Sequence, residues 1–330
     1  MTAEKLEREA DHEVREAGKS GTFRRSRPIT DLPLASELAG AYSFPELEPD
    51  TARRSRPSLA PESEAAAWNG CTAAYDAFAE AITRPFAEDA VRLVKLGLGA
   101  RVLDVAAGTG AFAVAAARRG AEVLAVDFSL DMISGLTRKC GSLGLHAIAA
   151  QVMDGQDLEL PDDYFDVAAS LFGLMFFPDH DQGLREMHRV LRPGGQAVVA
   201  VWAQPARVEL MRLMGEAAMS ANIELPTPDT PPHWTALSAP SRLQRRVLAA
   251  GFSKVYVVSL AHVWTVDRPE IVAEILPYAT PSASALFGQL NQAERAALLA
   301  ALVADLCERQ GGGPFAVANE ALIAVATKPL

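Results

Sequence analysis

The sequence predicts an α/β fold built on a doubly wound, largely parallel sheet. Three observations carry this expectation. From Arg101 onward, short strand-like and helix-like segments alternate. The strand-like segments are near-continuous apolar runs, as in a parallel sheet covered on both faces. The first of them leads through a glycine turn directly into a helix, the arrangement of repeated β-α units. The strands read as Arg101–Ala106, Glu122–Asp127, His146–Val152, Phe165–Leu171 and Gln196–Trp202, and the helices between them as Gly110–Arg119, Ser129–Cys140 and Asp181–Leu191.

The flanking segments complete the outline. Glu64 to Ile82 reads as a helix, because Trp68, Cys71, Tyr75, Phe78 and Ile82 recur at three- and four-residue steps. Pro85 suits the first turn of a second helix running to Leu96, with Gly97 and Gly99 ending it. After Trp202 the sequence suggests a Met-rich helix at Val208–Ile223, then a Pro-rich loop at Glu224–Pro240. A helix at Ser241–Ala250 and a strand at Val255–Leu260 follow. Residues 269–310 read as a helical insertion before a closing strand at Asn319–Thr327.

At 330 residues, with 49% hydrophobic and 22% charged residues, the chain can bury a sizeable core. The expected division is a weakly ordered arm at 1–60 and one domain at 61–330. Within the domain, 61–97 supplies N-terminal cap helices, 98–204 a ligand-binding core, and 205–330 ligand-side helices and closing strands. The arm is charged and poor in large apolar groups. It carries a repeat, Arg24-Arg25-Ser26-Arg27-Pro28 and Arg53-Arg54-Ser55-Arg56-Pro57, which reads either as a solvated tail or as two basic docking patches.

The net charge of −10 argues against a nucleic-acid partner. Three cysteines, Cys71, Cys140 and Cys307, lack C-x-x-C spacing, so neither a disulfide framework nor a metal site is expected, and a cytoplasmic setting is the simplest. No apolar run reaches the ~18–20 residues of a membrane helix. The first twenty residues lack a signal-peptide core.

The candidate chemistry lies at the C-terminal ends of the strands, where open α/β sheets bind ligands. Val102-Leu103-Asp104-Val105-Ala106-Ala107-Gly108-Thr109-Gly110 gives a glycine turn that lets a ligand approach the backbone and a helix N-terminus. Asp127 ends the second strand, where a carboxylate can accept from ribose hydroxyls. Asp154 follows the third strand in Met153-Asp154-Gly155-Gln156-Asp157, placed for an exocyclic amine of adenine. Gly108-x-Gly110-x-x-Ala113 also satisfies a dinucleotide fingerprint, which keeps an NAD-dependent oxidoreductase open. Three carboxylates at successive strand positions suit a ligand with an amine, a ribose diol and an adenine, and no phosphates.

Together these motifs resemble the class I S-adenosylmethionine-dependent methyltransferases, in the group related to the ubiquinone/menaquinone biosynthesis methyltransferases. The resemblance rests on Val102–Gly110, Ala125–Ser129, Met153–Asp157 with Leu160-Pro161, and Leu191–Gly195, and runs from about Trp68 to Trp202. It implies a Rossmann-like seven-stranded sheet with an antiparallel last strand, and S-adenosylmethionine as cofactor. It further implies that Asp104, Ala106, Gly108 and Gly110 hold the methionine end, and that Asp127 takes the ribose. Asp154, Gly155 and Gln156 would take the adenine, with Phe128 and Met132 packing on it. Tyr75 is implied as the capping aromatic, and Ser170 as a further cofactor contact. Ala106 stands where the fullest form of the motif has glycine.

Methyl transfer needs alignment of a nucleophile with the methyl group, and a base only where the nucleophile must lose a proton. His180 and His233 are the candidate bases. The apolar run Ser170–Phe177 lacks the Asn/Asp-Pro-Pro-Tyr motif of nucleobase and glutamine methyltransferases. It also lacks carboxylates for a metal-dependent catechol type. Phe172, Met175, Phe176, Trp234 and Tyr278 are the candidate pocket residues for a small, partly apolar acceptor such as a quinone, lipid or secondary metabolite. The 269–310 segment reads either as a roof over that pocket or as a homodimer contact. A non-catalytic protein that binds the cofactor is the remaining alternative.

Overall fold

The protein is described here from a computed structural model, which describes residues 61–225, 233–266, 268–310 and 315–330. The expected arm at 1–60, with its arginine repeat, lies outside the described residues.

Seven strands form one sheet: β1 (Arg101–Val105), β2 (Glu122–Asp127), β3 (Ile148–Val152), β4 (Phe165–Leu171), β5 (Leu191–Trp202), β6 (Ser253–Val266) and β7 (Phe315–Thr327). Their order is β3-β2-β1-β4-β5-β7-β6. β1 to β5 are mutually parallel and β7 runs antiparallel to both neighbours, so the doubly wound, mostly parallel sheet is the observed fold. The order reverses between β1 and β4, which opens a crevice at their C-terminal ends. The central strands are buried almost throughout, which explains their unbroken apolar sequence.

The helices are α1 (Glu80–Leu93), α2 (Ala111–Ala117), α3 (Leu130–Leu143), α4 (His180–Val190), α5 (Glu209–Ser220), α6 (Pro240–Ala249), α7 (Pro269–Ile275), α8 (Pro281–Gln289) and α9 (Gln292–Gln310). Caps fix several starts. Ser129 accepts the N–H of Met132 ahead of α3, and Asp179 that of Gln182 ahead of α4. No helix among the described residues is long and apolar enough to cross a membrane.

The N-terminal region departs from expectation. Residues 61–68 form two 3₁₀ turns, Pro61–Ser63 and Ala65–Trp68. From Thr72 the chain then runs helical through a π turn at Tyr75–Ala79 into α1, so Pro85 sits inside a helix and does not begin one. Tertiary burial outweighs the proline here: Ile82, Phe86, Ala87, Ala90 and Val91 form a continuous buried face. β6 and β7 are also longer than their sequence patterns suggest. They pair along an antiparallel ladder whose far end carries Trp264, Phe315 and Val317 into a second core.

Candidate active site

The strand ends meet the N-terminal turns around a cavity of about 230 Å³. β1 supplies the glycine loop. Gly110 adopts φ +88°, and a Cβ there would stand 2.2 Å from Leu136 Cδ1, so only glycine fits the entry to α2. Ala106, at φ 56°, and Phe172, at φ 59°, hold left-handed backbone on the cavity wall without being glycine. Such strain persists where the surroundings over-determine it. Phe172 packs on Trp202 with ring centroids 4.3 Å apart and on Phe86 at 5.6 Å.

The carboxylates are engaged and buried to different degrees. Asp127 Oδ2 accepts from Gly108 N at 2.9 Å and Oδ1 from Ser129 N at 2.9 Å, which ties the end of β2 to the glycine loop. Burial pushes its carboxyl up to about 6, against those two N–H donors. Asp104 Oδ2 accepts from Ala113 N at 3.0 Å. Burial pushes this carboxyl up to about 8, opposed by that N–H and reinforced by the charge of Asp127. Asp154 Oδ1 accepts from Gln156 N at 2.8 Å, closing the turn after β3. Gln156 in turn accepts the N–H of Asp179 at 2.9 Å, linking that turn to the start of α4.

Most of the residues read from the sequence come together. Tyr75, Ala106, Gly108, Asp127, Phe128 and Met132 line one part of the wall; Asp154, Gly155 and Gln156 line another. Gly155 permits this closeness, since a Cβ would stand 2.5 Å from the Phe177 ring and 2.6 Å from Val105. Phe172 and Phe176 line the remaining apolar part. Asp104 faces a smaller adjoining pocket of about 20 Å³, which shares Tyr75, Leu171 and Phe172 with the main cavity.

Other expected residues stand elsewhere. Ser170 is fully buried, and its hydroxyl accepts the N–H of Leu174 at 3.1 Å. Met175 is buried in the sheet core, where Trp234 also packs, and Tyr278 packs on the second core. None of these four lines the cavity, and neither do Gly110, His180 and His233. The two histidines stack with centroids 4.4 Å apart, and their Nε2 atoms face the carbonyls of Met175 at 3.1 Å and Phe177 at 2.7 Å. A carbonyl only accepts, so each Nε2 carries hydrogen and donates. Burial pushes His180 below the usual imidazole range. The pair pins the turn that carries Phe176 and Phe177, and neither of these two candidate bases lines the cavity.

Several wall residues gave no sequence signal as site residues: Glu62, Ser63, Trp68, Leu171, Phe177 and Pro178. Glu62 and Ser63 precede any periodic pattern, and Trp68 read only as a helix-face residue. The described wall carries three carboxylates (Glu62, Asp127, Asp154) and no lysine, arginine or histidine. That field suits a cation and disfavours a diphosphate.

Residues 103–199 match the Methyltransferase domain family. The demethylmenaquinone methyltransferase of Thermus thermophilus is 33% identical over 184 residues, covering 51% of this chain and 83% of that protein. The chain belongs to the class I S-adenosylmethionine-dependent methyltransferases, in their ubiquinone/menaquinone-like group. The ubiquinone/menaquinone biosynthesis C-methyltransferase UbiE of Geobacter sulfurreducens is 37% identical over 128 residues, 38% of this chain and 50% of that one. Indeed, the chain spans about half the length of the first curated relatives it matches. The crystal structure of the YcgJ protein from Bacillus subtilis superposes on this methyltransferase-family fold with a TM-score of 0.50 at 16% identity. It covers 74% of this chain and 99% of that one.

Proposed function

We propose that the protein transfers a methyl group from S-adenosylmethionine to a small, partly apolar acceptor, such as a quinone, lipid or secondary metabolite, in the cytoplasm. The observation that carries this reading is the convergence of Asp127, Asp154 and the glycine loop on one cavity whose described wall has no cation. The donor set fits the cofactor, with acceptors for hydroxyls and amines and a cradle that side chains would fill at Gly155. When bound, the cofactor supplies a methyl group activated on a sulfonium.

The residues' tasks are binding, orientation and exclusion of water. Asp127 holds the ribose diol, and its two bonds to the backbone keep its oxygens aimed. Asp154, Gly155 and Gln156 receive the adenine edge, and Phe128 and Met132 flank it. Asp104 and Ala106 to Gly110 receive the methionine end beside the small adjoining pocket. Tyr75, set edge-on to Trp68 with centroids 5.6 Å apart, closes the site from the N-terminal side. Phe172 and Phe176 offer the acceptor an apolar surface, so water is displaced where the methyl group must meet its nucleophile. No histidine reaches the cavity among the described residues, so any base from this wall is a carboxylate.

Calorimetry with S-adenosylhomocysteine tests the reading. Asp127→Ala and Asp154→Ala should each weaken binding about tenfold or more, with folding intact by circular dichroism. Unchanged affinity in both variants, or tight NAD(H) binding with none of S-adenosylhomocysteine, overturns it.

A further inference from the structure

We propose that Glu62 recognises the acceptor. Its carboxylate receives a hydrogen-bond donor, a hydroxyl or an ammonium, carried on an apolar body that lies against Phe172 and Phe176. This deepens the methyl-transfer reading of the cavity and rests on it.

Glu62 is only 4% exposed, yet it forms part of the cavity wall. Its Oε1 accepts the backbone N–H of Ser282, at the start of α8, at 2.9 Å. The Ser282 N–H is the one hydrogen bond found to this carboxylate among the described residues, and it falls on Oε1. A carboxylate offers about four acceptor positions, and leaving one buried with a single N–H partner is costly. Glu62 itself lines the cavity, and its Oε2 is not among the fully enclosed side-chain oxygens that lack a partner, so room for a ligand's donor remains beside it.

The side chain is also held in place. The Glu62 carbonyl accepts from Trp68 Nε1 at 3.1 Å. The neighbouring Ser63 hydroxyl donates to the carbonyl of Phe176 at 2.8 Å, and Gly70 N donates to Asp131 at the head of α3 at 3.1 Å. The segment 61–70 is therefore tied to α8, to the β4–α4 loop and to α3. Glu62 is anchored on α8 and its neighbour on the aromatic loop, whereas Asp127 and Asp154 sit at the ends of β2 and β3. The adenosine occupies those two acids in the reading above. Glu62 is the carboxylate left over, beside the aromatic surface, and an amphiphile with a donor at one end matches both features.

The test loads wild type, Glu62→Gln and Glu62→Leu with S-adenosylhomocysteine. Each is then titrated with 2-naphthol, with 2-naphthylmethylammonium and with 2-methoxynaphthalene, which cannot donate. Wild type should bind one or both donor probes about tenfold tighter than the ether, in line with a hydrogen bond to a charged group. Glu62→Leu should reduce that preference to within about twofold. Glu62→Gln keeps an oxygen for Ser282 N–H and should narrow it at least about threefold, so it decides the matter if the leucine variant does not fold. S-adenosylhomocysteine affinity should stay within about twofold in every folded variant.

Equal binding of the three probes to wild type, no binding of any, or a preference kept in the variants overturns the proposal. A parallel loss of S-adenosylhomocysteine affinity also overturns it, because Glu62 then serves the cofactor. Failure of wild type to bind S-adenosylhomocysteine overturns the underlying reading instead, and shows before any probe is added.

Discussion

Asp104 shows how far burial reshapes a single side chain in this site. An unfolded aspartate titrates near 3.9, whereas burial inside β1 holds Asp104 up to about 8. Between those values the folded protein keeps a proton that the unfolded chain releases. Stability therefore falls as pH rises through this window, by about 1.4 kcal/mol per pH unit for each such group. Burial likewise raises Asp127 to about 6 and Glu80 to about 7, so Glu80 shares the interval from pH 7 to 8 with Asp104, and only a variant of Asp104 separates the two. The melting temperature of the cofactor-free protein should fall across that interval. It should fall less steeply in Asp104→Asn, whose amide oxygen still accepts the Ala113 N–H; parallel curves would refute the assignment. The acids at 104, 127 and 154 were legible in the sequence because β-α alternation places strand ends without any knowledge of packing. Glu62 was not, since a residue in a 3₁₀ turn has no period and only the approach of α8 makes it a wall residue. Ser170 misled for a related reason: it sits at the right strand end, but its hydroxyl turns back to Leu174 N.

Among the elements, α1, the glycine loop and α3 are joined by one polar clamp. Thr109 Oγ1 donates to Glu80 Oε2 at 2.5 Å, and Glu80 pairs with Lys139 of α3, which also pairs with Asp76. The π turn at Tyr75–Ala79 sits directly ahead of Glu80, and it sets the facing of Tyr75 toward the cavity and of Phe78 toward the second core. Sequence periodicity found both helical stretches but divided them at Pro85, because it weighs the proline locally and cannot see the buried face that carries α1 through it. The glycine loop was read in full, while its tether 29 residues upstream was invisible. Thr109→Val keeps the shape and removes the tether. It should cost about 1 kcal/mol of stability and weaken S-adenosylhomocysteine binding about fivefold through a looser loop. Loss of stability without any loss of affinity would show that the clamp supports the fold and not the site.

For the molecule as a whole, the open question is whether two cores make two cooperative units. The sheet core holds β1, β2, β4, β5 and β7 with α2, α3, α4 and α6, and the second core holds α5 and α7 to α9. Several elements run through both, α1 and β7 most fully. The start of α1 gives Ile82 to the second core and its later turns give Phe86 to Val91 to the first; β7 gives Phe315 and Val317 to the second and Ala321 to Ala326 to the first. The cavity borders the sheet core through Phe172, Phe176 and Phe177, and is closed by turns bound to α8. Elements that are themselves cooperative cannot half-unfold without exposing apolar surface in both cores, so a single unit spanning the described residues is expected, as in the proposed 61–330 domain. Phe287, fully buried in the second core, provides the probe. Phe287→Ala should lose about 3–5 kcal/mol. In hydrogen exchange at graded urea, the peptides of β1 to β4 and those of α9 should shift to lower midpoints together, and a variant whose α9 opens early while β1 to β4 keep the wild-type midpoint would establish two units. A shared shift also means that packing far from the strand ends sets how firmly the lid turns hold Glu62, since α8 carries both Phe287 and the Ser282 N–H that anchors it.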